Sequence, residues 1–79
     1  MTNLERYNRA FQEIFGIKED SLAGLEYQQI PSWDSVGHMG LIAELEDSFS
    51  IMMEADDIID FSSYEKGKEI LSKYGVTVE

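Results

Sequence analysis

Apolar residues near the start of the chain recur at the spacing of an amphipathic helix. Thr2 followed by Glu5 has the pattern of a capping box, in which two side chains satisfy the first backbone N–H groups of a helix. Gly16 supplies a natural end, because glycine readily adopts the left-handed conformation that terminates helices. We therefore predict a first helix between these signals, with an apolar stripe formed by Leu4, Tyr7, Phe11, Ile14 and Phe15.

The next segment, residues 17–33, lacks sustained periodicity and contains Gly24 and the only proline, Pro31. It predicts a long loop between helices 1 and 2, with one helical turn at residues 20–23. A loop of this length without regular structure usually has a functional role.

A second amphipathic helix is predicted from residue 34 or 35 to residue 49. Either Asp34 or Ser32 is placed to cap its first turn, where negative charge also interacts favourably with the helix dipole. The helical spacing predicts a core-facing stripe formed by His38, Leu41, Ile42, Leu45 and Phe49.

The same helix carries a second apolar line, formed by Val36, Met39 and Ala43 and interrupted by Gly40. A helix with one core-facing stripe is normally polar elsewhere. Periodicity alone leaves two explanations open: this line contacts another protein or an attached cargo, or the helix is buried on two sides of a small bundle.

The last third of the chain predicts two further helices. A short helical turn is expected at residues 55–59, with Ile58 facing the core and with Asp56 and Asp57 facing solvent. A second capping-box pattern, Ser62 with Glu65, begins the last helix. The helix is expected to end at Gly75. The residues at helical spacing before this stop are Tyr64, Gly67, Ile70, Leu71 and Tyr74.

Three main helices and one short helix, with a long loop between helices 1 and 2, predict an all-α fold. The expected architecture is an irregular antiparallel four-helix bundle in a single domain, residues 1–79. The chain contains no cysteine, so its stability must come from helix packing rather than disulfide bonds. No stretch approaches the roughly 20 apolar residues of a membrane span, and residues 1–6 lack the apolar core of a secretory signal. We therefore expect a cytoplasmic monomer.

The net charge of −10 is concentrated in the middle of the chain. Residues 19–62 contain eleven acidic side chains and no basic one. Such a segment repels nucleic-acid phosphates and anionic lipids, so we expect neither nucleic acid nor membrane as a partner, but basic protein surfaces instead. The acidic residues Asp56, Asp57 and Asp60 lack the alternation and the glycine of an EF-hand loop, so no specific metal site is predicted.

The best candidate for chemistry is Ser35, a hydroxyl predicted at a helix start directly after Asp34. Backbone N–H groups at a helix N-terminus favour an anion, so a phosphate ester at this position would be stabilised. The local sequence alone favours a simpler interpretation, an ordinary N-cap or first-turn serine with no further role.

A hydrolytic triad of Asp34, Ser35 and His38 is disfavoured by helix geometry. Successive residues diverge by about 100° around a helix, so the aspartate cannot orient the imidazole while the imidazole contacts the serine. A small bundle also offers no enclosed pocket for catalysis. We therefore do not expect an enzyme, and we expect His38 to be half-buried against Trp33.

The chain from Asp34 onwards resembles the attachment motif and second helix of acyl carrier proteins. Asp34-Ser35-Val36 matches the Asp-Ser-Leu motif of that family. The matching helix positions are Met39, Leu41, Ile42, Leu45, Glu46 and Phe49. The similarity continues through residues 51–61, and the first helix, the long loop, the acidic middle section and the Ser62 start of the last helix also fall where the family has them.

This resemblance implies that Ser35 carries a 4′-phosphopantetheine arm, transferred from coenzyme A by a separate phosphopantetheinyl transferase. The thiol of the arm would hold acyl or aminoacyl intermediates as thioesters and carry them between partner enzymes. Asp34 would help to present the serine to the transferase and its magnesium. A docking face for loading and acyl-transfer enzymes with basic surfaces would include Val36, Met39, Ala43, Glu46, Asp47 and Asp56. Cargo would shelter between helices 2 and 3, beside Leu45, Phe49, Ile58 and Ile70.

Two departures from the family pattern bear on the pathway. Gly37 and Gly40 stand where carriers of fatty acid synthesis usually present acids. Trp33 and His38 look more like carriers of specialised pathways, such as polyketide, nonribosomal peptide or surface polysaccharide assembly. The alternative from another functional class is an acidic helical module that binds basic proteins and never carries a prosthetic group.

Overall fold

The computed structural model describes all 79 residues, as four α-helices without a β-strand. None of the helices combines the length and the apolar character needed to cross a membrane. The all-α prediction is confirmed. The helices are α1 (Asn3–Phe15), α2 (Ser35–Phe49), α3 (Ala55–Asp60) and α4 (Tyr64–Ser72), with a 3-10 turn at Glu19–Ser21 between α1 and α2.

Helix α1 begins and ends at the predicted signals. The Thr2 hydroxyl accepts a hydrogen bond from the backbone N–H of Glu5, and a Glu5 carboxylate oxygen accepts one from the N–H of Thr2. Gly16 ends the helix in the left-handed conformation, with φ of 66°. The local sequence was sufficient here because all partners lie within one turn of the chain.

Helix α2 supplies one wall of the core. Its predicted stripe is confirmed: Leu41, Ile42 and Leu45 are buried, and Phe49 packs against them. The second apolar line is not buried, since Val36 and Met39 are 79% and 53% exposed. The structure therefore excludes one of the two explanations, burial of α2 on two sides of the bundle, because this line faces solvent.

Helix α4 begins one residue later than predicted, so the Ser62–Glu65 capping box is wrong. Ser63 is the N-cap, and its hydroxyl accepts from the N–H of Lys66 at 2.9 Å. The physical reason is tertiary. Residues 25–27 of the loop between α1 and α2 pair with residues 62–64: the N–H of Tyr27 donates to the carbonyl of Ser62, and the N–H of Tyr64 donates to the carbonyl of Leu25. This pairing holds Ser63 in extended backbone, so Ser62 lies outside the helix.

The end of α4 also differs from the prediction. Regular helix stops at Ser72, and the following N–H groups donate to carbonyls three residues back, which tightens the chain into a turn. Gly75, with φ of 79°, then lets the N–H of Val76 reach the carbonyl of Leu71. This is the pattern of a Schellman motif, so the predicted glycine closes the turn rather than the regular helix.

A cluster of aromatic side chains fills the centre of the molecule. Its buried members belong to α1, the loop, the segment after α3 and α4, and they are Tyr7, Phe11, Phe15, Trp33, Phe61 and Tyr64. Their rings lie 5.0 to 6.3 Å apart in edge-to-face, tilted and stacked pairs. Gly67 of α4 makes this packing possible, because a Cβ there would overlap Phe61 and the Tyr7 hydroxyl.

Candidate functional site

Ser35 is the first residue of α2, and its side chain is exposed. The hydroxyl forms no hydrogen bond with the protein. Asp34, one of the two predicted caps, is the N-cap of α2. Its Oδ1 accepts a hydrogen bond from the N–H of Gly37 at 2.8 Å. The other candidate, Ser32, instead donates its hydroxyl to the carbonyl of Phe15 at 3.2 Å. The cap therefore leaves the serine hydroxyl free.

A largely apolar cavity of about 350 Å³ begins at Ser35 and lies between α2 and α3. It is lined by residues of three parts of the chain: Tyr27, Ser35, His38, Met39, Ile58, Ile59, Phe61 and Ser62. A volume of this size is at the lower end of the range for small-molecule sites. An apolar group attached to the serine would begin at the edge of this cavity.

The cavity differs from the cargo site expected from the sequence. Of the four residues expected beside a cargo, only Ile58 lines it; Leu45 and Ile70 are buried in the core, and Phe49 packs against the core. Ile59, which was not expected there, also lines the cavity because it neighbours Ile58 in α3. Tyr27 belongs to the aperiodic loop, so no pattern in the sequence could have placed it there.

His38 forms part of the cavity wall and bonds at both ring nitrogens. Its Nδ1 accepts a hydrogen bond from Trp33 Nε1–H at 2.9 Å, and its Nε2 lies 2.8 Å from the carbonyl oxygen of Ile58. The imidazole lies nearly in the plane of the indole, with ring centroids 6.2 Å apart and planes 15° apart, as an edge-to-edge N–H···N hydrogen bond requires. The predicted half-buried position against Trp33 is confirmed.

These bonds also bear on the triad that the residue types suggested. Because both imidazole nitrogens have other partners, His38 forms no hydrogen bond with Ser35. Asp34 bonds to Gly37 and makes no contact that would orient the imidazole. The three side chains therefore do not form the hydrogen-bonded series that a nucleophilic triad requires.

The residues expected to form a docking face lie on the outer side of α2 and on α3. Ala43, Asp47 and Asp56 are exposed, like Val36 and Met39. Glu46 is only half-exposed, because its Oε2 accepts a hydrogen bond from the N–H of Met53 at 2.8 Å and so holds the segment that leads into α3. Ile59, which is 78% exposed, adds an apolar side chain that was not expected there.

Asp57 does not face solvent as the sequence predicted. Its Oδ1 accepts from Lys73 Nζ at 2.8 Å, and its Oδ2 accepts from the Tyr74 hydroxyl at 2.5 Å. The hydrogen bond from Lys73 is the main reason that the pKa of Asp57 lies below its ordinary value, and the Tyr74 hydroxyl adds to that effect. The prediction failed because these partners lie 16 and 17 residues away in the chain.

No group of three or more His, Asp or Glu side chains is placed to hold a metal ion. No model of a protein family, no curated protein and no solved structure matches this chain.

Proposed function

We propose that this chain is an acyl carrier protein, whose Ser35 bears a 4′-phosphopantetheine arm and which passes acyl or aminoacyl groups between separate enzymes. The proposal includes the architecture expected of that family: an irregular antiparallel four-helix bundle with a long loop between its first two helices. It makes the protein a cytoplasmic monomer of a specialised biosynthetic pathway. The chain itself would carry intermediates and catalyse no reaction.

The observation that carries the proposal is the Ser35 hydroxyl, which is exposed and unbonded at the edge of an apolar cavity. A transferase has to reach this oxygen from solvent, and an oxygen without protein partners is free to react. Attack on a phosphate of coenzyme A would form a bond between Ser35 Oγ and phosphorus and break the pyrophosphate linkage. Adenosine 3′,5′-bisphosphate would leave, and the hydroxyl proton would pass to a base of the transferase.

The backbone around Ser35 fits a phosphate diester. The N–H groups of Ser35 and Val36 donate to no acceptor within the protein, and they lie at the positive end of the 15-residue helix α2. Such N–H groups stabilise an anion. Asp34 uses one carboxylate oxygen for the cap and leaves Oδ2 without a protein partner, so this oxygen is available to the magnesium of a transferase.

The cavity fits the cargo of a carrier. When bound, the arm would supply a thiol that holds the cargo as a thioester. The side chains of Met39, Ile58 and Phe61 would shield an apolar cargo from water, since they line the cavity next to the attachment point. The burial would be transient, because the cavity opens to the solvent beside Ser35.

The exposed face around the attachment site fits transient partners. Val36 and Met39 offer apolar contact, while Asp47 and Asp56 offer negative charge to basic docking surfaces. Charge of this kind speeds encounter more than it raises affinity. Each partner would therefore associate fast and dissociate fast, as a shuttle between enzymes requires.

The experiment is an intact-mass measurement after incubation with coenzyme A, magnesium and a phosphopantetheinyl transferase of broad specificity. We expect the mass to rise by one phosphopantetheine, and we expect Ser35→Ala to abolish the change. Ser62→Ala is the matched control, because Ser62 is another exposed serine that lines the same cavity, and this variant should be modified like the parent protein.

An unmodified parent protein, tested beside a carrier that the same transferase does modify, would contradict the proposal. The exposed apolar residues Val36, Met39 and Ile59 would then favour the alternative function, an acidic module that binds basic proteins without a prosthetic group. Modification that persists in Ser35→Ala would show that another residue is the attachment site.

A further inference from the structure

Helix α3 is too short and too exposed to hold its position by itself. It has six residues, and none of them is buried. Isolated helices shorter than about 12 residues are marginal in water, so packing or specific bonds must hold such a segment. Of its two isoleucines, Ile58 packs partly against the core and Ile59 is 78% exposed. The place of α3 therefore depends on its hydrogen bonds to the rest of the molecule.

On the side of α4, several hydrogen bonds attach α3 to the turn that follows α4. Asp57 bonds to Lys73 and to Tyr74, as described above, and the Tyr74 hydroxyl also accepts from the N–H of Glu54 at 2.9 Å. These four residues join the beginning of α3 to the turn after α4. We call Glu54, Asp57, Lys73 and Tyr74 the hinge cluster.

On the side of α2, one hydrogen bond reaches α3 itself, while the bond between Glu46 and the N–H of Met53 holds only the segment before it. The bond to α3 joins His38 to the carbonyl of Ile58, and no other hydrogen bond connects α2 with α3. The donor can be assigned: an indole N–H only donates, so Nδ1 must accept from Trp33 and the proton must lie on Nε2. The Ile58 carbonyl accepts from no backbone N–H, so His38 is its only partner in the protein.

We propose that His38 is a latch that positions α3 against α2 and thereby sets the width of the cavity between them. When the bond between Nε2–H and the Ile58 carbonyl breaks, α3 turns about the hinge cluster and the wall formed by Ile58 and Ile59 moves outward. The hydrogen bond from Trp33 holds the imidazole nearly coplanar with the indole, in the orientation that closes the latch. The latch is a property of the cavity itself, so it operates whether or not Ser35 carries an arm.

Two substitutions of His38 each keep one of its two hydrogen bonds, the one from Trp33 or the one to the Ile58 carbonyl. In His38→Asn the side-chain oxygen takes the place of Nδ1 and accepts from Trp33, but the side chain is too short to reach Ile58. In His38→Gln the amide nitrogen takes the place of Nε2 and donates to the Ile58 carbonyl. The asparagine variant thus opens the latch and the glutamine variant keeps it closed.

The measurement is hydrogen exchange of backbone amides by NMR, on the unmodified protein. The reporters are the N–H groups of Ile58 and Phe61, which bond to Glu54 and Asp57 within and just after α3. For His38→Asn we expect these amides to exchange about two- to tenfold faster, as the loss of one hydrogen bond predicts, while the amide of Leu45 in α2 is unchanged. For His38→Gln we expect the α3 amides to exchange no faster, relative to the amide of Leu45, than they do in the parent protein.

A second measurement tests the cavity. Nile red, a neutral apolar fluorophore, should bind several-fold more tightly to His38→Asn than to the parent or to His38→Gln, because a released α3 admits a bulkier group. Equal acceleration at Leu45 and in α3 would overturn the proposal, since the variant would then merely be less stable. So would unchanged exchange in α3, or the same behaviour in both variants. None of these outcomes depends on modification of Ser35.

Discussion

At the scale of single residues, the buried polar side-chain atoms of this small domain all have hydrogen-bond partners. Tyr7 is the deepest example: its hydroxyl donates to the carbonyl of Tyr64 at 2.6 Å, and burial raises its pKa above the ordinary tyrosine value. Trp33, which is also fully buried, donates its indole N–H to His38. Polar groups so placed join distant parts of the chain without the cost of an unpaired buried donor.

Asp57 predicts a measurable pH dependence of stability. Its pKa is lower in the folded than in the unfolded chain, chiefly because Lys73 donates a hydrogen bond to it. The stabilisation is therefore complete above the unfolded pKa and is lost as the pH falls through the lower folded pKa. Denaturant titrations from neutral to acidic pH should show a smaller acid-induced loss of unfolding free energy in Asp57→Asn than in the parent.

The charge-matched control for this prediction is Asp56→Asn. Asp56 is exposed and its side chain bonds to no other residue, so removal of its charge should leave the slope of stability against pH close to that of the parent. If both variants changed the slope equally, general acidic repulsion rather than the hinge cluster would account for the effect.

At the scale of elements, glycines in the helices show where two segments approach closely. In α2, a Cβ at Gly37 would overlap the backbone carbonyl of Ser32, whereas a Cβ at Gly40 would lie 3.7 Å from Ile14 Cγ2, an ordinary contact. The two glycines look alike in the sequence, since both lie in the first two turns of α2. Only Gly37 is required by the way in which the loop crosses the start of α2.

Alanine substitutions should therefore have opposite effects at these two positions. Gly37→Ala should lower the unfolding free energy by about 1–3 kcal/mol, because backbone must shift to make room for the methyl group. Gly40→Ala should raise it by about 0.5–1 kcal/mol, because alanine loses less backbone entropy in a helix interior. Urea denaturation measures both, and two changes of the same sign would contradict the packing described for α2.

At the scale of the whole molecule, the acidic charge opposes compaction. The chain has a radius of gyration of 11.2 Å, and the eleven acids of residues 19–62 face few cations within it. Three salt bridges are present: Arg9–Glu13, Lys68–Glu65 and Lys73–Asp57. Only the last involves the acidic middle section, so most of that charge is unpaired and is available for interaction with basic partners.

Added salt should therefore raise the melting temperature. Each kcal/mol of relieved repulsion corresponds to about 4–8 °C in a domain of this size, and ions screen charges separated by more than about 10 Å at 0.1 M salt. Magnesium chloride and sodium chloride should both raise the melting temperature by screening, since no cluster of side chains is placed to bind a specific metal ion. A melting temperature that is insensitive to both salts would contradict the clustered-charge interpretation.

The same charge should steer partners, and Asp47 is the better position for testing this effect. Asp47 is exposed without a side-chain partner, whereas reversal of Glu46 would also break its bond to Met53. Under the proposed function, Asp47→Lys should slow the loading of this chain by a basic partner enzyme about threefold or more at low salt, through the association rate. Glu69→Lys, an exposed residue of α4 with the same change of charge, should have a smaller effect, and unfolding curves should show that both variants remain folded.

Local sequence determined the features whose partners lie within a few residues. The Thr2–Glu5 capping box, the Gly16 stop and the stripe of Leu41, Ile42 and Leu45 all follow from spacing along one helix, whereas the sequence left both Asp34 and Ser32 open as the cap of α2. The exposed position of Ser35 belongs to the same class, because a residue directly after an N-cap begins a helix at its outer end. Spacing was sufficient because short-range backbone geometry decides these contacts.

Tertiary structure alone decided the features that join distant residues. It made Ser63 the cap of α4, because pairing with the loop holds Ser63 in extended backbone, and it turned Asp57 from a solvent-facing acid into the centre of the hinge cluster. It also brought Tyr27 to the cavity beside Ser35. The physical reason is that these contacts depend on which segments pack together, and packing is a property of the whole folded chain that no local pattern of residues encodes.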